Sequence, residues 1–225
     1  AVGLGDLGRK DGYIERQLKR WYGQWEKSKT RDLPTVDEVF DQLSRSIPQQ
    51  QGATIVHGDY RLDNCMIGDD GHVAAVLDWE ICTLGDPLAD VGLLLVYWGD
   101  PDADFTAIPM PPTTLDGFPR PDALLERYVA ASGREVTDID FYVAFGYWKL
   151  ACILEGVYAR YIGGSMGDDA VVSVTTAVRA SGLTAPLVTH RRPDGEDAGV
   201  PYAPVRGARR AGLLPLSYSD KRAVS

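Results

Sequence analysis

Apolar positions recur every three to four residues early in the chain. Ile14, Leu18, Trp21, Tyr22 and Trp25 share one helical face, with Arg16, Lys19 and Arg20 on the wet side, which predicts a helix over roughly 12–29. Residues 1–12 before it are glycine-rich and read as a loop. Thr35-Val-Asp-Glu38 has the form of a capping box ahead of Val39, Phe40 and Leu43, so a second helix is expected there. The period then changes. Ala53-Thr-Ile-Val-His57 is short, apolar and rich in β-branched residues, the pattern of a buried strand. Gly58 to Asn64 is polar and reads as a loop. Cys65-Met-Ile67 and His72-Val-Ala-Ala-Val-Leu-Asp78 flank Gly68-Asp-Asp-Gly71, the chemistry of a hairpin turn.

Helical spacing returns at Asp86-Pro87, an aspartate at the cap and a proline at the first turn. Leu88, Val91, Leu94, Leu95 and Trp98 form the expected buried face, and Gly99 ends it. Residues 100–119 hold five prolines and read as a long loop. Pro121 opens a helix to about Ser132 that Gly133 closes. Residues 137–162 are apolar on most sides, as a core helix requires. A weaker helix is expected over 168–181. From Leu183 onward the chain is rich in Pro, Arg and Gly without period, which predicts a poorly ordered tail. The expectation is a mainly helical α+β domain over 1–182, built around a small β-hairpin, and a tail over 183–225.

Composition narrows the function classes. A hydrophobic content of 44% and a charged content of 24% suit one ordinary globular core. The net charge of −9 argues against nucleic acid as a partner. No segment is long and apolar enough to span a membrane, and the N-terminus lacks the form of a signal peptide. Cys65, Cys82 and Cys152 are odd in number and lack CxxC spacing, so they read as core fillers in a reducing, cytoplasmic protein.

The chemistry-bearing stretch is His57-Gly-Asp-Tyr-Arg-Leu-Asp-Asn64 followed by Val76-Leu-Asp-Trp-Glu80. Phosphoryl transfer asks little covalent help of a protein; it needs an oriented nucleophile and neutralised phosphate charge. A carboxylate in the first loop can accept a hydroxyl proton. An amide oxygen five residues on and a carboxylate from a separate strand can hold magnesium, which takes few protein oxygens beside water and phosphate. Between Asp59 and Asp90 there are eight acids and one base, Arg61; their convergence would call for a cation. A metal-dependent phosphohydrolase using His57, Asp59 and Asp78 is another reading, and it requires His57 to bind metal directly. Asp63 reads as a solvated or capping residue and Asp86 as a helix cap. Glu80 is open between positioning substrate and serving as a polar loop residue.

His57-x-Asp59-x-x-x-x-Asn64 resembles the catalytic loop of the protein-kinase fold. Gly58 replaces the arginine of regulated protein kinases, and Asp78-Trp-Glu80 stands where they have Asp-Phe-Gly. Both changes resemble the aminoglycoside phosphotransferase and choline kinase-like family. The run from Leu77 to Gly92 and the Gln17-Leu-Lys-Arg-Trp21 helix resemble its members related to kinase modules attached to acyl-CoA dehydrogenases. The resemblance covers about residues 1–165 and implies the C-terminal lobe of a kinase-like fold, with the hairpin carrying the catalytic and metal loops. It implies Asp59 as catalytic base and Asn64 and Asp78 as ligands of magnesium bound with ATP. It further implies a bracing His57, an Asp90 bonded to the catalytic-loop backbone, and an Arg61 facing the γ-phosphate.

Such enzymes have an N-terminal lobe with a glycine-rich loop and a strand lysine. Only 56 residues precede His57, and Gly3-Leu-Gly-Asp-Leu-Gly8 lacks the preceding strand. The C-terminal lobe alone is therefore expected, with poor ATP affinity unless a partner chain supplies the other lobe. The leading reading is an ATP- and magnesium-dependent kinase of a small-molecule hydroxyl. Its acceptor is aminoglycoside-, choline- or hydroxyacyl-like. The alternative is a non-catalytic kinase-like remnant or interaction subunit.

Overall fold

The computed structural model describes residues 3–102, 106–107 and 111–164. The weak helix at 168–181 and the 183–225 tail lie outside the described residues. Five α-helices and two two-stranded antiparallel sheets are present among them. Helix α1 runs Tyr13–Ser28 and buries Ile14, Leu18, Trp21 and Trp25, the face its sequence marks. Helix α2 runs Pro34–Arg45. It begins earlier than the capping-box pattern implies. Pro34 occupies the first turn, where a missing N–H costs nothing, and Thr35 lies inside the helix instead of capping it.

Strand β1 (Thr54–Val56) pairs with β4 (Thr83–Gly85), a partner too short to announce itself in the sequence. The strand is not buried as expected, because Ile55 is 43% exposed while Val56 is fully enclosed. Strands β2 (Cys65–Ile67) and β3 (Val73–Val76) form the anticipated hairpin, with Cys65 opposite Val76. Its turn closes through Gly71 N–H to Gly68 O at 2.9 Å and Gly68 N–H to His72 O at 2.8 Å.

Helix α3 (Leu88–Trp98) is enclosed on more sides than one face, since Ala89, Gly92, Leu93 and Val96 are buried too. Asp86 fastens its start. One carboxylate oxygen accepts the Leu88 N–H at 3.1 Å, and the other accepts the Tyr142 hydroxyl at 2.8 Å. Helix α4 (Pro121–Ser132) ends on Gly133 in the left-handed region, φ 65°, as the sequence indicates. Helix α5 (Ile139–Ile162) is the core element, packed against α1, α2 and α3. Trp148 donates from its indole N–H to Val36 O at 3.0 Å, tying α5 to α2. The buried Glu155 accepts the Thr30 N–H at 2.8 Å and pairs with Arg31 at 3.1 Å, tying it to the α1–α2 connection. Of the cysteines only Cys152 is buried; Cys65 and Cys82 are half-exposed, so the core-filler reading holds for one of three. No helix among the described residues is long and apolar enough to cross a membrane.

Candidate active site

The site is assembled by the ends of three strands. His57 follows β1, Asn64 precedes β2, and Asp78 lies just beyond β3. Leu77 joins the two loops. Its N–H donates to Asn64 O at 2.8 Å, and its carbonyl accepts the His57 Nε2–H at 2.7 Å. Asp78, the next residue, is thereby delivered beside the loop of Asp59 and Asn64.

Both ring nitrogens of His57 are engaged. Nδ1 accepts the Asp59 N–H at 3.2 Å, which leaves the ring hydrogen on Nε2 for Leu77. The ring is 2% exposed and lies 4.8 Å, centroid to centroid, from Trp79. A buried imidazole with both nitrogens spent cannot ligate a metal, so the phosphohydrolase reading loses its essential ligand.

Asp90, on α3, accepts the His57 N–H at 2.6 Å and the Gly58 N–H at 2.9 Å. Burial raises its pKa above the ordinary carboxyl value, and the two backbone bonds act against that rise. The carbonyl of Gly58 is held by the buried Lys149 of α5, whose ammonium donates to that oxygen. Gly58 has φ 87°, and a Cβ there would stand 3.1 Å from the Ile81 side chain, so this turn favours glycine twice over. Lys149 was not legible as a loop support: it sits in an apolar helix 91 residues from its partner.

Asn64 donates from Nδ2 to Asp59 O at 2.7 Å and to Asp59 Oδ2 at 3.2 Å. Arg61 Nε lies 3.5 Å from the same Oδ2, its other end pairs with Asp63 at 3.3 Å, and its guanidinium covers the Tyr97 ring. Neighbours thus crowd one oxygen of Asp59, and Oδ1 accepts no bond among the described residues. Asp78 is exposed and holds φ 65°; it has the only positive φ of any non-glycine among the described residues. That left-handed conformation is costly for most side chains and tolerated by aspartate, and it often marks functional loops.

The eight acids do not converge. Asp69 and Asp70 sit at the hairpin turn, Asp86 caps α3 and Asp90 faces backbone N–H groups. Among the described residues no group of three or more His, Cys, Asp or Glu could form a metal cage. What remains is a pair of hard oxygens, Asn64 Oδ1 and the Asp78 carboxylate, with no bond to either among the described residues. Two such oxygens suit magnesium, which keeps its other positions for water and phosphate.

A profile of the phosphotransferase enzyme family matches residues 1–142. The chain belongs to that family. It is 34% identical over 196 residues to mouse acyl-CoA dehydrogenase family member 10, covering 82% of this chain and 17% of that protein. It is 30% identical to human acyl-CoA dehydrogenase family member 11, covering 70% of this chain and 21% of the relative. A crystal structure of a putative aminoglycoside phosphotransferase from Ralstonia eutropha superposes with a TM-score of 0.72 at 34% identity. That match covers 83% of this chain and 58% of the other. The chain therefore has the kinase-like aminoglycoside phosphotransferase fold and spans about a fifth of the curated relatives it matches.

Proposed function

We propose that the protein transfers the γ-phosphoryl group of ATP to a hydroxyl of a small molecule. The observation that carries this reading is the pair of hydrogen bonds from Leu77 to Asn64 and His57, which sets Asp78 beside the loop that holds Asp59. Asp59 is the base. Asn64 and the Arg61 charge steer Oδ2, leaving Oδ1 to accept the acceptor's hydroxyl proton as the oxygen attacks the phosphorus. Asn64 Oδ1 and Asp78 would hold magnesium, which neutralises the phosphate oxygens in this chemistry. The flexible reach of Arg61 suits it to the γ-phosphate once that group enters, at the expense of its pair with Asp63. His57, Asp90 and Lys149 fix the loop backbone and touch no substrate.

The exposed apolar side chains Ile55, Met66, Ile67 and Leu77 would supply packing for the nucleotide base and for an N-terminal lobe carried by a preceding segment or a second chain. The test is magnesium-dependent ATP turnover over a panel of alcohols, run with that lobe present. Asp59→Asn should lower kcat by at least a hundredfold with little change in nucleotide affinity, general-base catalysis being worth about 10²–10⁴. Undiminished activity in Asp59→Asn would remove it as base. Absence of turnover with every acceptor would favour a non-catalytic interaction module.

A further inference from the structure

A second feature lies next to this site. The loop before α1 is laid across β4, where Gly8 packs on Thr83 and the Tyr13 ring covers Gly85. That contact opens a hollow of about 330 Å³ between α1 and the segment after Asp78. Arg9, Arg16 and Arg20 line one wall, and Glu80, Ile81 and Thr83 line the other. Ile81 is the side chain that packs on Gly58, so the hollow begins one residue from the loop of Asp59.

Three guanidinium groups face this space in a chain whose net charge is −9. Among the described residues none of the three forms an ion pair with a carboxylate, a state they share with Arg127, Arg134 and Arg160, while Arg31, Arg45, Arg61 and Arg120 are paired. Arg16 is held in place, donating to the backbone carbonyls of Asp11 and Arg9. Arg20 lies over the Trp21 ring, 5.4 Å from its centroid. Three like charges facing one carboxylate leave an excess that repels itself, and an oxyanion relieves that repulsion through several charge-assisted bonds at once. The hollow falls at the small end of the usual range for ligand sites, about 300–1,000 Å³. Of the residues lining the hollow three are arginines and Glu80 is the single acid, so its lining carries a net positive charge.

We infer that Arg9, Arg16 and Arg20 form a subsite for a phosphate group carried by the acceptor, whose hydroxyl is thereby presented to Asp59. The acceptor class is then a phosphorylated alcohol and not an aminoglycoside- or choline-like cation. This assignment rests on the phosphotransferase reading for which molecule brings the phosphate, and the binding itself is measurable without catalysis. Glu80 limits the charge the subsite accepts by standing at its far rim.

The experiment is calorimetric titration of the full chain with pyrophosphate and with inorganic phosphate, without magnesium or nucleotide. Saturable binding is expected. The double variant Arg9→Met/Arg20→Met should weaken it at least tenfold, while the distant surface control Arg45→Met leaves it unchanged. Both altered arginines are exposed, so folding should survive, and circular dichroism checks this. The subsite is overturned if neither anion binds, if Arg45→Met weakens binding as much as the double variant does, or if acetate binds as tightly as pyrophosphate. Turnover of magnesium ATP is scored separately. Its absence beside intact phosphate binding counts against the kinase reading and leaves the arginine site standing.

Discussion

A single residue, Gly58, is gripped on both of its peptide groups by buried charges: its N–H by Asp90 and its carbonyl by Lys149. Burying the Lys149 ammonium is costly, and burial pushes its pKa from 10.5 down to about 8, despite the attraction of Asp59 and Asp90. Between those two values the unfolded chain binds more protons than the folded one. Stability from this group therefore rises as pH increases from about 8 toward 10.5. Burial raises Tyr13 and Tyr142 above their ordinary 10.0, and they pull the opposite way once the pH passes that value. Burial raises the Cys152 thiol above its ordinary 9.0 as well, so its opposing pull begins there. A denaturant midpoint that climbs between pH 8 and 9 is expected, and Lys149→Met should flatten that climb. An unchanged slope in the variant would show that another group is responsible. Asp90 has the reverse sign. Its raised pKa means that folding takes up protons just above 3.8, so its contribution falls as pH rises through that window.

At the scale of elements, α3 and α5 meet at Gly92. A Cβ on that residue would lie 2.5 Å from the Tyr142 carbonyl carbon and 2.6 Å from its oxygen, backbone atoms that cannot swing aside. Gly92→Ala must separate the helices, and the expected loss is about 1–3 kcal/mol in urea unfolding, with Asp90 and the loop it holds displaced. A neutral or stabilising result would mean that α3 shifts freely. The helices were legible for different reasons: α1 and α3 from apolar spacing, α5 from a long run apolar on most sides, and α4 from Pro121 and Gly133 at its ends. The hairpin was legible from its turn residues. The β1–β4 pair was not, since three residues of strand carry no readable alternation and their pairing is a long-range event. The capping-box pattern at Thr35 misled because local chemistry cannot tell a cap from a residue one turn inside a proline-started helix.

For the molecule as a whole, the hairpin side is unusually apolar. Met66, Ile67, Val73 and Leu77 are each about half exposed, alongside Ile55 and Trp79. Exposed apolar side chains on and beside short strands invite association. The isolated chain should therefore self-associate with rising concentration. Met66→Lys/Ile67→Lys should reduce that association in sedimentation experiments, with a stability change within about 0.5 kcal/mol, as for ordinary surface substitutions. Association unaffected by the two lysines would place the contact elsewhere.

The sequence by itself determined the family, most of the helix positions and the hairpin, and it pointed to the stretch from His57 to Asn64 and the Asp78 loop to which the proposed chemistry is assigned. Those features are local, written in spacing and turn residues within a few positions of one another. Only the tertiary structure decided that Lys149 supports Gly58, that both His57 nitrogens are spent, that the acids disperse, and that three arginines from a loop and a helix face one hollow. Each of these depends on segments distant in the chain meeting in space. Burial and hydrogen-bond partnership follow from that meeting and leave no periodic trace along the chain.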